Sequence, residues 1–192
     1  MTANFSTFTR RATHLLAVAC LSTVAAPADT IRVPGDQPTI QAGIDAAVNG
    51  DVVLIADGVY TGTGNKNLDF AGKAITVRGE NGRDNCIIDC EGDGRAFYFH
   101  SGEGADSVVE GLTIRDGWVQ EGSPGSAGGG GILCIGSSPT ITGCTFSRCN
   151  ANDSLAEAVG GGISCDQGSD AIIRDCIFRD NRAFCGGGGV AI

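Results

Sequence analysis

Apolar residues recur in three segments at positions i, i+3 and i+5: Val109-Leu112-Ile114, Ile141-Cys144-Phe146 and Ile173-Cys176-Phe178. Corresponding positions are 32 residues apart each time. A straight strand keeps one face at i, i+2 and i+4, so the extra residue between the first two inward positions predicts a bend. Thr142-Gly143 and Arg174-Asp175 fall at that bend, where small or polar residues suit a turn. Glycine runs recur as well, before Ile132, Ile163 and Val190, at the less regular spacings of 31 and 27. Constant spacing in one part of the period and variable spacing in another predicts rigid strands joined by loops of differing length. Each period then holds one strand, a turn, and two short strands meeting at a corner, which is one rung of a parallel β-solenoid. Stacked rungs place equivalent residues about 4.8 Å apart, with Ile141 over Val109, Cys144 over Leu112 and Phe146 over Ile114. A helical repeat of this length is excluded, because the segments are rich in Ile, Thr and Gly and carry no 3.6-residue stripe. The glycine runs are expected at the tight corner where one rung passes to the next, with positive φ available.

Upstream the period is weaker but the pieces are similar. Residues 52–56, 74–77, 86–89 and 96–100 read as short strands between Gly, Asp and Asn turns. In the last of these, Phe97 and Phe99 are expected inside and Tyr98 outside. Residues 38–50 differ: Ile40, Ile44, Ala47 and Val48 share a helical face, Thr39 suits the N-cap and Gly50 the far end. An amphipathic helix before the first rung predicts a terminal cap over the core edge, which solenoids require.

The stretch PTIQAGIDAAVNGDVVLIADGVYTG, followed by AITVRG and the repeats, resembles the right-handed parallel β-helix, or pectin-lyase-like, superfamily across residues 31–192. The Gly-Gly-Gly-Ile runs and Phe178-Arg-Asp-Asn181 also resemble the Gly-Gly-x-Ile and Phe-x-x-Asn repeats of polymorphic outer membrane proteins. Phe146 departs from that pattern, since Asn150 stands four residues on. The resemblance implies an all-β right-handed parallel β-helix with an N-terminal helical cap, and an adhesin-like or carbohydrate-directed role. The motifs that carry catalysis in the pectate lyase branch (Trp-Ile-Asp-His and Arg-x-Pro-x-x-Arg) and in the polygalacturonase branch (Asn-Thr-Asp, Asp-Asp and Gly-His-Gly) do not occur; Trp118 is followed by Val119-Gln120.

The ends and the charge narrow the setting. Arg10 and Arg11 precede an apolar run from Leu15 to Val24, and Ala26-Pro27-Ala28 suits cleavage before Asp29, so residues 1–28 read as a secretory signal. That leaves a domain over 29–192, with the cap helix at 38–50 and regular repeats at 107–192. No other segment is apolar over the roughly 20 residues a membrane span needs. The formal charge of −9 approaches −11 without the signal, which repels phosphates and argues against nucleic acid as a partner. An extracellular glycan or protein fits better. The chain stops at Val190-Ala-Ile192, just as a glycine run opens a new rung, which predicts a fragment of a longer protein or end-to-end self-association.

No residue is assigned a catalytic, cofactor-binding or metal-binding role. Asp89-Cys-Glu91-Gly-Asp93-Gly94 resembles the start of a Ca²⁺ loop, but position 12 would be His100, so an acidic turn is the better reading. Asp166 to Asp170 is a weaker version of the same. His100 has no Cys or Asp partner at motif spacing and reads as an ordinary strand-end residue. Trp118 or Tyr98 could stack on a sugar ring. Cys134/Cys165 and Cys144/Cys176 are expected to stack in adjacent rungs as core ladders, or to bridge. Cys149 and Cys185 are placed in turns as better bridge partners. Asn150 and Asn181 are expected to bond along the solenoid at a turn.

Overall fold

A computed structural model describes residues 27–119, 128–151 and 159–192. The expected signal segment lies outside the described residues except for its last two. The chain opens with β1 (Thr30–Val33) and α1 (Ile40–Ala46), then coils through β2 (Val52–Ile55) and β3 (Gly58–Tyr60). The next turn of the coil is β4 (Thr76–Gly79), β5 (Cys86–Asp89) and β6 (Phe97–Phe99); the one after is β7 (Val108–Glu110), β8 (Thr113–Arg115) and β9 (Ile132–Ile135). The last two rungs carry four strands each: β10 (Thr140–Thr142), β11 (Thr145–Ser147), β12 (Asn150–Ala151) and β13 (Ile163–Asp166), then β14 (Ile172–Arg174), β15 (Ile177–Arg179), β16 (Arg182–Ala183) and β17 (Val190–Ala191).

Equivalent strands stack into three long sheets, ordered β1-β2-β4-β7-β10-β14, β3-β5-β8-β11-β15 and β6-β9-β13-β17, with a short fourth ladder of β12 and β16. Every ladder is parallel and in the expected register: Ile141 lies between Val109 and Ile173, and Phe146 between Ile114 and Phe178. The architecture is the all-β parallel β-helix with an N-terminal helix that the spacing predicts.

The bend is real and has a defined conformation. Val109, Leu112, Ile114, Ile141, Cys144 and Phe146 are all fully buried, which requires the chain to gain one residue at the corner without losing the inward face. Gly111, Gly143 and Asp175 supply it, at φ of 63°, 62° and 50°. A second corner five residues later uses the same left-handed conformation at Asp116, Arg148 and Asp180, with φ of 54°, 53° and 56°. Inside, Phe70, Phe97 and Phe99 form one aromatic cluster, Phe70 meeting Phe99 edge-on at 4.9 Å, while Phe146 stacks on Phe178 at 5.0 Å. Tyr98 points outward, as its alternation with Phe97 and Phe99 predicts.

Four expectations are corrected. The helix covers 40–46 rather than 38–50, because Ala47 is already extended (ψ 149°) and the Asp51 carboxylate accepts from the Val48 N–H in a following turn; Val48 is 62% exposed and has left the buried face. The Thr39 N-cap stands, its hydroxyl accepting from Ala42 N–H at 3.2 Å, and Ile40 and Ile44 seal the end of the first rung. The strand expected at 74–77 is shifted to Thr76–Gly79. Asn150 and Asn181 do not stack: Asn150 is level with Arg182, and Asn181 with Cys149. Cys149, expected in a turn as a bridge partner, is fully buried, and the eight described cysteines are all unbridged.

The glycine runs are corrected as well. They sit between the fourth ladder and the third sheet, not at the step from rung to rung, and only Gly129 and Gly160 of the runs before Ile132 and Ile163 have positive φ. The others are required by contact. A Cβ on Gly130 would stand 2.6 Å from both Asn150 N and Gly161 O, and one on Gly131 2.6 Å from Gly162 O. Gly117 faces the Gly130 carbonyl, and Gly161 the carbonyls of Arg182 and Gly188, just as closely. The backbone of the glycine column thus lies flush against the backbone of the fourth ladder, with no side-chain layer between them.

Candidate functional site: a groove on the outer corner

The flush packing brings two columns of outward residues side by side. One is the left-handed corner itself, Asp116, Arg148 and Asp180. The other is Trp118, Asn150 and Arg182, two residues further along each rung and held in parallel register. The residues between the columns turn inward. Cys149 is fully buried, and the Asn181 amide bonds along the axis: Oδ1 accepts from Cys149 N–H at 2.9 Å and Nδ2 donates to Phe146 O at 3.1 Å. This is the axial role expected of an asparagine at a turn, served by Asn181 alone.

Between the columns runs a groove of about 420 Å³, lined by Asp116, Gly117, Trp118, Arg148, Asn150, Asp180 and Arg182, with Gly92 and Cys149 at its floor and end. Its size lies within the usual range of small-molecule sites. Arg148 grips Asp116 through both ends of its guanidinium, Nε to Oδ1 at 2.7 Å and Nη2 to Oδ2 at 2.6 Å. That carboxylate is the first cause of a raised Arg148 pKa. The bidentate pair also offsets the cost of a long side chain in the left-handed region. Asp180 and Arg182 form no ion pair among the described residues, and the indole of Trp118 is 36% exposed. The buried Oδ1 of Asn150 has no hydrogen-bond partner among the described residues. The groove therefore offers an aromatic face, an amide and a guanidinium at rung spacing, with a free acid at the corner beside them; the amide and the guanidinium stand on β12 and β16.

The other residues singled out in the sequence lie elsewhere. In the acidic turn, Asp89 pairs with Arg115 (Nη2 to Oδ2 2.8 Å), and Lys66 binds Glu91 at 3.1 Å and Asp93 at 3.5 Å. Glu91 also accepts from Gly62 N–H, the largest cause of its lowered pKa. These carboxylates are held apart by cations, and no group of three or more His, Cys, Asp or Glu residues is placed to share a metal among the described residues. His100 does have an acidic partner, Asp69 at 3.3 Å, from a neighbouring rung and invisible at motif spacing. Its ring stacks on Tyr98 at 4.1 Å, and the Arg95 guanidinium lies over the same tyrosine ring at 5.4 Å. On the outer face of the third sheet Leu133 and Ser164 are each 1% exposed, whereas Asp166 is exposed. No described helix is long and apolar enough to cross a membrane.

Sequence reasoning missed the two outward columns; of their members it named Trp118, as a platform for a sugar ring, and Asn150, as an axial turn residue. The signal was present, since 116, 148 and 180, and likewise 118, 150 and 182, obey the 32-residue period. The period was legible in apolar positions alone, and residue types in these columns change at every rung. No curated protein and no solved structure matches the chain. A family model described as a right-handed β-helix region matches residues 51–192, which covers every rung after the cap. The chain belongs to the right-handed β-helix family.

Proposed function

We propose that this protein is an exported, non-catalytic β-helix scaffold that holds a glycan in the corner groove. The observation that carries this reading is the alignment of Trp118 with Asn150 and Arg182 on a rigid ladder beside the Asp116–Arg148 pair. A sugar ring presents an apolar face to an indole and hydroxyls to amide, carboxylate and guanidinium groups. The likeness of the glycine runs to adhesin-type repeats agrees with it, and the negative charge argues against phosphate-bearing partners. Trp118→Ala is expected to weaken binding of a matching oligosaccharide at least about tenfold, the equivalent of about 1.4 kcal/mol, with the thermal midpoint little changed because the indole is partly exposed. Calorimetric titration across a panel of neutral and acidic oligosaccharides measures this, and undiminished binding by the variant would remove the groove from the reading.

A second reading, a polysaccharide lyase or other carbohydrate-active enzyme, is favoured by the free acid Asp180 and free guanidinium Arg182 in one groove. Incubation with polyuronides and Ca²⁺ separates the two, since only an enzyme releases unsaturated or reducing ends. Export makes its own prediction. Expressed from its full reading frame in a secreting host, the mature chain is expected to begin at Asp29 by N-terminal sequencing; retention of Met1 with the chain inside the cell would rule against export.

A further inference from the structure

Among the described residues, Asp29 is the first that the fold holds. Pro27 and Ala28 are exposed and make no hydrogen bond among the described residues. Asp29 is anchored through both of its backbone groups: its N–H donates to Asp51 Oδ1 at 2.9 Å, and its carbonyl accepts from Val52 N–H at 2.9 Å. From there the chain enters β1, which pairs with β2 from Thr30 on Val52. The anchor is the residue that a cut after Ala26-Pro27-Ala28 leaves first.

Asp51 has room in its bonding for more than a peptide N–H. It is 5% exposed and stands where the cap helix, β1 and β4 meet. Its N–H donates to Val48 O at 3.0 Å, its Oδ2 accepts from Val48 N–H at 2.9 Å, and its carbonyl accepts from Thr76 N–H at 3.0 Å. The Val48 bond first, and the Asp29 bond after it, hold its carboxyl below the ordinary range, so it is ionised at neutral pH. Yet Asp51 forms no ion pair among the described residues. Glu103, also a buried carboxylate, accepts from three donors, whereas Asp51 accepts from two. A carboxylate taken out of water is costly unless it is both hydrogen-bonded and paired, and a cation is what Asp51 lacks.

We infer that Asp51 is the docking site for the α-ammonium of Asp29, created when an export leader is cut off, so that processing completes the N-terminal cap. The inference rests on the export reading above. Hydrolysis by an endopeptidase of the export machinery adds water across the Ala28–Asp29 amide. The C–N bond breaks, Ala28 leaves as a carboxylate, and the Asp29 nitrogen takes up a proton. That nitrogen need not move. The atom that donates to Asp51 at 2.9 Å as a peptide N–H donates from the same place as an ammonium, and the contact becomes a charge-assisted pair. Because Asp51 also holds the turn that follows α1, the pair ties the new terminus to the helix that seals the first rung.

The test uses the chain with Asp29 as its first residue, recovered from a secreting host or released from an N-terminal fusion partner by a protease that leaves Asp29 first. Its comparison is the same chain retaining Ala28. The chain retaining Ala28 is expected to melt about 3 °C lower, and with Asp51→Asn in both chains the difference is expected to fall below about 1 °C. A second readout is acetylation of the Asp29 amine at pH 7 by an N-hydroxysuccinimide ester, followed on the N-terminal peptide by mass spectrometry. Only the unprotonated amine reacts, so the native chain is expected to react about tenfold more slowly than the chain in urea, the effect of one pKa unit. Native Asp51→Asn is expected to react nearly as fast as the unfolded chain. A retained Ala28 that leaves the midpoint unchanged would overturn the pairing, and so would a native amine acetylated as fast as in urea. If Asp51→Asn does not fold, the labelling rate of the parent decides. These readouts are separate from export itself: Met1 retained in the secreting host ends the export reading, while the released chain still decides the pairing. A secreted chain that begins anywhere but Asp29 overturns the inference and leaves export standing.

Discussion

Gly130→Ala is expected to destabilise the fold by at least about 3 kcal/mol, a methyl group having no space to enter. Its Cβ would lie 2.6 Å from Asn150 N, 2.6 Å from Gly161 O and 2.7 Å from Asn150 O. All three are backbone atoms, one ladder on one side and the next rung on the other, so no rotamer change makes room. Relief requires the fourth ladder to move off the glycine column and the adjacent rungs to part, which breaks the Asn150 N–H bond to Gly117 O and the Gly131 N–H bonds to the Gly161 and Gly162 carbonyls. The groove should loosen with it, because Asn150 is both the point of contact and a groove residue. Gly104→Ala is the control. Nothing stands within 4 Å of its Cβ position, and its φ is not in the left-handed region, so about 0.4–1 kcal/mol of stabilisation through the unfolded chain is expected. Urea unfolding of both variants, with circular dichroism as the signal, provides the comparison. A Gly130→Ala protein within about 1 kcal/mol of the parent would mean that the rungs slide apart easily and that the close packing is not what demands glycine.

Glu103→Gln is expected to cost about 2 kcal/mol at neutral pH, as hydrogen bonds to a charged acceptor are lost. Glu103 is 2% exposed. Its Oε1 accepts from Gly72 N–H at 2.9 Å, and its Oε2 from Ser101 N–H at 2.9 Å and the Ser137 hydroxyl at 2.8 Å. Ser137 N–H in turn donates to the Ser169 hydroxyl at 3.1 Å, so one polar column links three rungs. A glutamine turns an N–H₂ toward donors and leaves at least one of them orphaned in the interior. Burial on its own would raise this pKa, but the peptide N–H and hydroxyl donors outweigh it and hold the carboxyl below its ordinary 4.5. A depressed folded-state pKa contributes stability that is fully present above the unfolded value and is lost as pH falls through the folded one. The gap between the parent and Glu103→Gln should therefore be constant from neutral pH down to about pH 5 and shrink as acidification proceeds below about 4.5. Denaturant midpoints of both proteins from pH 7 to pH 3 test this; a gap that is unchanged at pH 3 would assign the loss to packing rather than to the charge.

Much of the fold was legible because it is periodic. Three inward residues per rung, repeated at 32, gave the strands, the corner and the register of Ile141 on Val109 and Phe146 on Ile114. Periodicity also explains the failures. The cap helix lies where no period applies, and there local propensity competed with contacts it could not see; β4 does pair with β7 at the 32-residue offset, but Glu80 and Gly82 stand where later rungs carry apolar residues, so the offset was not legible. Val48 continues a helical stripe on paper, yet the Asp51 carboxylate takes its N–H and turns the chain. Asn150 and Asn181 look equivalent, but they are 31 rather than 32 residues apart, so Asn150 falls on the neighbouring column, where it pairs with Arg182 and lines the groove.

The site was less legible than the fold. Trp118 was visible as a lone aromatic, whereas its partners are separated from it by 32 and 64 positions and share neither type nor hydropathy with it. Glu103 drew no reading from the sequence, because two of its three donors come from residues 72 and 137, in neighbouring rungs. Arg83 meets Asp175 across 92 residues, and nothing local to either predicts the contact.

The sequence by itself determined the rung: its length, its inward residues, the extra residue at each bend and the glycine column, all consequences of one backbone spacing imposed again and again. Only the tertiary structure decided what the outside of the corner became. Stacking at about 4.8 Å converts residues a full period apart into neighbours, and outward positions carry no constraint of polarity by which a linear reading could find them. The groove, the buried Glu103 column and the Arg83–Asp175 contact exist only after the coil has closed on itself.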